Sequence, residues 1–421
     1  MKKRIYKAVE VKQVNVKKLQ EKVQNQPIVF GVDVAKEDVV GALMNEEEEV
    51  LETIKWKSPN QIREIVDLIC NLPTSKLEVA MEPTGTYGDT LRECFEKKGI
   101  VVFKINTHRT HKAAEVYDGV DSSHDAKSAA IIAKLHLDKA SSKWEKKSEK
   151  EVELSVQIEL MEIYEKQLRA NANRLEAKLA RHWPEVTPLL DLASATLLML
   201  IKEFGSAKAV ADKHKEAKDR MRKIGGCKLS QEKIDQVIES AKNSIGIDPV
   251  EAEIEMLKEL ACETQRNRQN LARVKSKIEQ LTQLEESVKN MADVVGKVSA
   301  AVMFMIAGPP KLYKSANAYL KALGLNLKQR SSGYYKGALK ITKRGGSLAR
   351  KYLYWAVLRK IQDDPVFSKW YQQKLIRDGG KLKMKAIIAL MRKLAVALWH
   401  VGQGKTFDST LLFDTKKLGL I

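Results

Sequence analysis

The sequence predicts a mixed α/β domain in the first third of the chain and a helical remainder. Three short apolar segments, 28–33, 77–82 and 100–103, are separated by polar stretches, and each carries a carboxylate or leads to one. From residue 149 onward the apolar residues recur at helical spacing instead. Strands that alternate with helices are typical of an α/β core, whereas long amphipathic periodicity is typical of packed helices.

The elements of the α/β part follow in order from apolar runs and turn residues. Ser58-Pro59 predicts a helix start, and Gly99 predicts a helix end. The predicted order is strands 28–35, 38–44 and 50–56, helix 59–72, strand 77–82, helix 87–98 and strand 100–105. This is the order of a ribonuclease-H-like, or RuvC-like, core. We place that core at 28–140, after a basic leader at 1–27.

Apolar residues at heptad-like spacing predict a coiled-coil arm at 149–290. Leu154, Met161, Leu168 and Leu175 recur every seven residues, and a second row is interrupted by Glu165. A similar pair of rows lies between 257 and 288, and a helical insert rich in Ala and Lys, about 184–248, separates the two. The arm is interpreted either as a dimerisation element or as a rigid spacer.

The last part of the chain, 291–421, is predicted to be helical. Val295-Gly296-Lys297 joins two helical stretches. Such a turn is typical of a helix-hairpin-helix, whose backbone N–H groups can contact phosphate.

The charge of the chain is concentrated in this last part. The net charge is +20, and between Lys311 and Lys405 there are 22 Lys and Arg against three acids. Such an excess favours a polyanionic partner, most simply nucleic acid, over a solvated helical surface, which normally mixes both signs. Four scattered cysteines without a CxxC pair fit the reduced cytosol, and no segment is long and apolar enough to predict a membrane span.

Carboxylates at the strand ends predict a site for divalent cations. Asp33 ends the first strand, Glu82 ends the second apolar segment, and Asp125 begins a helix. Carboxylates that converge in this way can hold Mg²⁺, which activates a nucleophile and stabilises charge on phosphate. Residue 128, three positions after Asp125, shares its helix face but is a serine, and Asp121 is an alternative source of a further carboxylate.

A second candidate centre is the Ser331-Ser332-Gly333 segment in the basic tail. Neighbouring cations that can hold phosphate oxygens are Arg330, Lys336, Lys340, Lys343, Arg344 and Arg350, with Lys36 beside the first strand. A serine hydroxyl is a poor nucleophile unless it is activated. The residues alone therefore leave two interpretations open, a catalytic serine and a flexible basic loop.

Taken together, these motifs resemble the transposases of insertion-sequence family 110, which combine a DEDD-type nuclease domain with a C-terminal serine domain. The residues that carry the resemblance are 31–36, 81–85, 124–129, 323–325, 331–333 and 341–346. The resemblance implies that Asp33, Glu82 and Asp125 bind Mg²⁺. It also implies that Ser332, with Ser331 as the alternative, attacks a DNA phosphate and forms a transient phosphoserine link.

The same resemblance implies further partners and one departure. Members act as dimers of dimers with a structured bridge RNA that pairs with donor and target DNA. Where the family pattern has its last aspartate, this chain has Ser128, so that a hydroxyl, water or Asp121 would take that position.

The sequence thus predicts an RNA-guided DNA recombinase, cytoplasmic and nucleoid-associated, that acts as a homodimer or homotetramer and has no membrane partner. Three other functions stay open: a structure-specific nuclease that uses the carboxylates alone, a non-catalytic nucleic-acid-binding regulator, and an inversion enzyme without a guide RNA.

Overall fold

The computed structural model describes residues 7–83, 85–120, 124–282, 285–329, 331–332 and 334–419. They divide into two compact units, one up to Lys146 and the other from Lys147 onward.

A mixed sheet organises the first unit. Its strands are β1 (Val9–Glu10), β2 (Ile28–Asp33), β3 (Asp38–Asn45), β4 (Val50–Lys57), β5 (Leu77–Met81), β6 (Val101–Lys104) and β7 (Ser142–Lys143). Their order across the sheet is β1-β4-β3-β2-β5-β6-β7. The strands β2, β3 and β4 form an antiparallel meander, and β5 and β6 continue the sheet parallel to β2. This is the arrangement expected of a ribonuclease-H-like core.

Helices cover both faces of this sheet. They are α1 (Val16–Val23), α2 (Ile62–Cys70), α3 (Asp89–Lys97), α4 (Thr107–Asp118) and α5 (Asp125–Leu137). Phe30, Ile54 and Trp56 belong to the core on one face with α2 and α3, whereas Val29 and Met44 share the other core with α5. The predicted basic leader contributes to the domain, because β1 pairs with β4 and α1 buries Leu19 and Val23.

Two long helices begin the second unit. They are α6 (Glu149–His182) and α11 (Glu251–Thr282), and they pack against each other. Arg181 lies against Glu253 and Lys277 against Glu153, so the two helices run in opposite directions. The segment between them contains four α-helices, α7 (Ala195–Phe204), α8 (Ala207–Asp212), α9 (His214–Gly225) and α10 (Gln231–Lys242).

The remaining helices of the second unit share a core with one end of the α6–α11 pair. They are α12 (Glu286–Val295), α13 (Lys297–Ala307), α14 (Ala316–Ala322), α15 (Ser347–Asp363), α16 (Pro365–Arg377) and α17 (Lys383–Val401). Gly296, with φ +84°, separates α12 from α13. Short 3-10 helices lie at Val11–Gln13, Pro184–Val186, Gly226–Lys228, Pro310–Leu312 and Ser409–Leu412.

The prediction of a purely helical tail was incomplete. Four two-residue strands lie between α14 and α15: β8 (Leu327–Lys328), β9 (Ser331–Ser332), β10 (Tyr335–Lys336) and β11 (Lys340–Ile341). They form two antiparallel ladders, β9 with β10 and β8 with β11. Strands this short carry no readable periodicity. Among the described helices, none has the length and apolar content needed to cross a membrane.

Candidate carboxylate centre and serine loop

Two of the predicted carboxylates lie at the same edge of the sheet. The strands β2 and β5 are parallel neighbours in which Val32 is paired with Met81. Asp33 and Glu82 are the next residues on each strand, so their side chains are carried to the same carboxyl edge. Asp33 is partly buried, and Glu82 is buried with 7% of its surface exposed.

The helix α5 brings the third carboxylate to this edge by an unusually close approach to β2. A Cβ atom at Gly31 would lie 2.4 Å from the Ala129 carbonyl oxygen and 2.5 Å from the Ala133 nitrogen. The helix can therefore rest directly on the strand backbone only because residue 31 lacks a side chain. Asp125 and Ser128 lie in the first turn of α5, one turn before this contact, beside Asp33.

The electrostatics of Asp33 show that these groups act on one another. The pKa of Asp33 is raised from 3.8 to about 6, mainly by burial and then by the negative charges of Glu82 and Asp125. The Ser128 hydroxyl, which donates a hydrogen bond to Asp33, and the charge of His111 act in the opposite direction. Glu82 and Asp125 are thus held close enough to Asp33 for their charges to act on its carboxyl group.

The chemistry of this cluster fits a hard divalent cation. Carboxylate and hydroxyl oxygens are the ligands that Mg²⁺ prefers, and a cation would offset the repulsion that raises the pKa of Asp33. Within the described part of the chain, however, no group of three or more His, Cys, Asp or Glu side chains is arranged so that it could hold a metal ion. Asp33, Glu82 and Asp125 are the residues that would hold the ion.

Sequence reasoning missed two residues of this region. The first is His111, which is exposed but whose charge lowers the pKa of Asp33. The second is Lys127, which is 1% exposed and whose Nζ lies 2.6 Å from Asp118 Oδ1 and 2.7 Å from the Val120 carbonyl oxygen. Lys127 therefore fixes the chain just before α5 to the helix that carries Asp125.

Some predicted site residues fall outside what the structure describes. Asp121 and Arg330 are among them, as are the side chains of Ser331 and Lys336. Lys36, in the connection after β2, is described and exposed.

The serine segment lies on a loop with both ends fixed by backbone hydrogen bonds. At its base, Thr342 N donates to the Asn326 carbonyl at 2.9 Å and Lys343 N donates to the Gly324 carbonyl at 3.1 Å. In the loop itself, Ser332 is paired with Tyr335 across the ladder and is exposed. The hydroxyl-bearing residue is thus presented to solvent on an anchored loop.

The cations predicted around the serines differ in their surroundings. Lys340, Lys343 and Arg344 are exposed. Arg350 is partly buried, and its Nη1 donates to the Leu323 carbonyl at 3.2 Å and to the Gly345 carbonyl at 2.9 Å. Arg350 thus joins the segment before the loop to the segment after it, and its role toward nucleic acid stays a prediction.

Comparisons with known protein families match two regions of the chain. Residues 30–184 match a transposase model for the DEDD domain of IS110 elements. Residues 291–372 match the model described as transposase, IS116/IS110/IS902 family. The chain belongs to the IS110 family of transposases. No curated protein matches it.

The two matched regions of the transposase contain its two candidate centres. The first covers Asp33, Glu82 and Asp125, and the second covers the whole serine loop from β8 to β11. Membership in a transposase family implies DNA as the substrate and cleavage and joining of DNA as the general activity.

Proposed function

We propose that this transposase is a DNA recombinase that exchanges strands through a covalent serine–DNA intermediate and is guided by a structured RNA. The observation that carries the proposal is the convergence of Glu82, Asp125 and Ser128 on Asp33 at one sheet edge. The exposed, anchored Ser332 in a basic loop supports the serine part.

In the proposed reaction the Ser332 hydroxyl oxygen attacks a DNA phosphorus and the bond from phosphorus to one sugar oxygen breaks. The hydroxyl proton is given up and the leaving sugar oxygen takes one up, so a phosphodiester is exchanged for a phosphoserine diester. A sugar hydroxyl of the second DNA then attacks the same phosphorus, which restores Ser332. Because bond types are conserved, the exchange needs no energy source.

The residues of the carboxylate centre have separate roles in this proposal. Asp33, Glu82 and Asp125 would hold Mg²⁺, which supplies charge neutralisation at a bound phosphate. Ser128 keeps the Asp33 carboxyl oriented through its hydrogen bond. The exposed cations of the serine loop, Lys340, Lys343 and Arg344, would hold the DNA or RNA backbone.

The decisive experiment traps protein on end-labelled DNA under denaturing conditions. Wild type and Ser331→Ala should give a labelled covalent adduct, whereas Ser332→Ala should give none. Ser331→Ala is the matched control because it removes a hydroxyl from the same strand. An adduct that disappears with Ser331→Ala and persists with Ser332→Ala would transfer the role to Ser331.

A carboxylate-only nuclease is the second candidate, since Asp33, Glu82 and Asp125 meet at the sheet edge without any residue of the serine loop. It predicts that Ser332→Ala still cleaves DNA and that Asp33→Asn does not. For the guide, RNA copurified with the protein should contain one dominant structured species. A preparation that recombines DNA after complete RNase treatment would exclude the guide and leave the serine chemistry intact.

A further inference from the structure

The most unusual surface outside the two centres is a short loop at the base of the insert, residues 245–250, here called the aliphatic loop. Ile245, Ile247 and Val250 are 87%, 56% and 64% exposed. Single exposed apolar residues are common on protein surfaces, but three within six residues form a patch that normally contacts something.

This exposure is not the result of a loose backbone. Ile245 N donates to Glu185 Oε1 at 2.9 Å, and Ile247 N donates to the Arg181 carbonyl at 2.9 Å. The Ile247 carbonyl lies 2.8 Å from His182 Nδ1. Gly246 lies so close to the end of α6 that a Cβ would be 2.3 Å from the His182 carbonyl oxygen. The backbone is held against residues 181–185 while its aliphatic side chains are exposed, which is the preorganisation expected of a docking element.

The loop also carries negative charge. Asp248 and Glu251 flank Val250 and are exposed. Asp248 has a partner in Lys208, at 3.8 Å, but both side chains are exposed, so this ion pair contributes little and is readily exchanged. The loop therefore presents aliphatic side chains together with acids.

A complementary surface exists elsewhere on the same chain. A groove of about 1140 Å³ lies beside the base of the serine loop, between β8, β11, α17 and residues 411–412; we call it the basic groove. Its floor is aliphatic, with Leu320, Ile388 and Val396, and Leu339 and Leu411 on its rim are 58% and 81% exposed.

The charges of the basic groove are of one sign. Seven Lys and Arg line it, and no acid does so among the residues described. Two of them, Lys374 and Lys385, form ion pairs with Asp378, which lies outside the lining. No aromatic side chain lines it in the same described set, so it offers no ring on which a nucleic-acid base could stack. An aliphatic floor with a cationic rim instead suits an aliphatic segment with acidic flanks.

We propose that the aliphatic loop of one copy of this transposase docks into the basic groove of a second copy. Ile245, Ile247 and Val250 would enter the aliphatic floor, and Asp248 and Glu251 would face Lys374 and Lys385. Lys340 and Lys343, which also line the groove, are assigned to nucleic acid and take no part in this contact. The contact depends on neither the serine chemistry nor the metal. It would place the insert of one copy beside the serine loop of the other.

Disulfide trapping between two preparations tests the contact. In a background with Cys70, Cys94, Cys227 and Cys262 changed to serine, Val250→Cys protein is mixed with Leu339→Cys protein under mild oxidation. A disulfide between them can form only between copies. Val116→Cys is the matched control, because Val116 is also apolar and 85% exposed. Trapping no greater than with Val116→Cys would overturn the proposal.

Sedimentation equilibrium of nucleic-acid-free protein gives a second readout. Ile245→Ser with Ile247→Ser should raise the dissociation constant of the dimer by about tenfold or more, whereas Val116→Ser should leave it unchanged. Circular dichroism melts check that each variant is folded. Asp248→Lys and Lys385→Asp should each weaken association, and their combination should recover part of the loss.

Three results reject the pairing. One is a wild type that stays monomeric at micromolar concentrations. Another is self-association that the loop variants leave intact. The third is a Leu339→Asp variant that loses nucleic-acid binding in fluorescence anisotropy while its self-association is unchanged, which would assign the groove to nucleic acid.

Discussion

Removing the charge of Asp33 should stabilise the metal-free transposase. Asp33 is held beside Glu82 and Asp125, and its pKa is about 6 instead of 3.8. A carboxyl with a raised pKa in the folded state costs stability wherever it is ionised. Asp33→Asn keeps the size of the side chain and its ability to accept the Ser128 hydrogen bond, and it removes this cost.

The magnitude follows from the two pKa values. Their difference corresponds to about 3 kcal/mol at neutral pH, and partial exposure of Asp33 reduces the expected gain to about 1–3 kcal/mol. The direction of the pKa shift also determines how the free energy of unfolding depends on pH. Between about pH 4 and 6 the folded state binds more protons than the unfolded state, so wild-type stability falls as the pH rises through this window. The gain from Asp33→Asn should be full above about pH 6 and absent below about pH 4.

The assay is urea unfolding in EDTA at neutral and acidic pH, with Glu37→Gln as a control that removes an exposed carboxylate nearby. Adding Mg²⁺ at neutral pH should stabilise the wild type and leave Asp33→Asn nearly unchanged, because a ligand stabilises only the form that binds it. A variant that is less stable than wild type at neutral pH, or a gain that persists below pH 4, would refute the electrostatic argument.

Three further predictions concern packing, the Lys127 contact and charge. Gly31→Ala should cost about 3 kcal/mol or more in unfolding free energy, because its Cβ would lie 2.4 Å from the Ala129 carbonyl oxygen, whereas Gly119→Ala, with open space but φ +76°, should cost about 1 kcal/mol. Lys127→Met should cost about 1–2 kcal/mol, because it removes the hydrogen bonds from Lys127 Nζ to Asp118 and to the Val120 carbonyl, and adding Asp118→Asn should change this loss little. Affinity for DNA, measured by anisotropy titration, should fall steeply from low to high salt, because the basic tail would bind the phosphate backbone. A dissociation constant that does not change with salt concentration would contradict binding through this tail.

Local sequence signals were enough to predict the order of the first domain. Apolar runs and the Gly99 stop are short-range features, and they fix strands and helices before any long-range contact is known. The predicted helix start at Ser58-Pro59 was wrong, because residues 58–61 form a turn and α2 begins at Ile62 with Gln61 as its N-cap. The pairing of the leader through β1 was missed, because a two-residue edge strand shows no alternation.

The candidate site was only partly predictable, for a different reason. Helical spacing places Asp125 and Ser128 on one face, and in the structure both act on Asp33. The contribution of His111 depends on how α4 lies near the sheet edge, and the aliphatic loop and basic groove depend on which side chains the fold leaves uncovered. None of these has a signature in spacing along the chain.

Glu165 provides a test in which sequence pattern and structure predict opposite signs. It interrupts an apolar heptad row of α6, so the pattern alone predicts that Glu165→Leu stabilises the arm. In the structure its carboxylate lies 2.6 Å from Lys351 Nζ, accepts from the Tyr352 hydroxyl at 3.0 Å and lies 3.5 Å from Lys275 Nζ. Burial opposes its charge, yet Lys351 and Tyr352 hold the pKa of Glu165 below its ordinary value.

Glu165→Leu would therefore remove two charge-assisted hydrogen bonds and gain one partly buried aliphatic side chain. The lost bonds outweigh the gain, so we expect a net destabilisation of about 1–3 kcal/mol in urea unfolding at neutral pH. Glu159→Leu, at an exposed position of the same helix, should change the unfolding free energy by less than about 0.5 kcal/mol. If Glu165→Leu unfolds at higher urea than wild type, heptad packing governs this end of the arm and the contact with α15 is secondary. If Glu165→Leu unfolds at a lower urea concentration than wild type, the Glu165 carboxylate stabilises the packing of α6 against α15. Its partners Lys351 and Tyr352 lie 186 and 187 residues away along the chain.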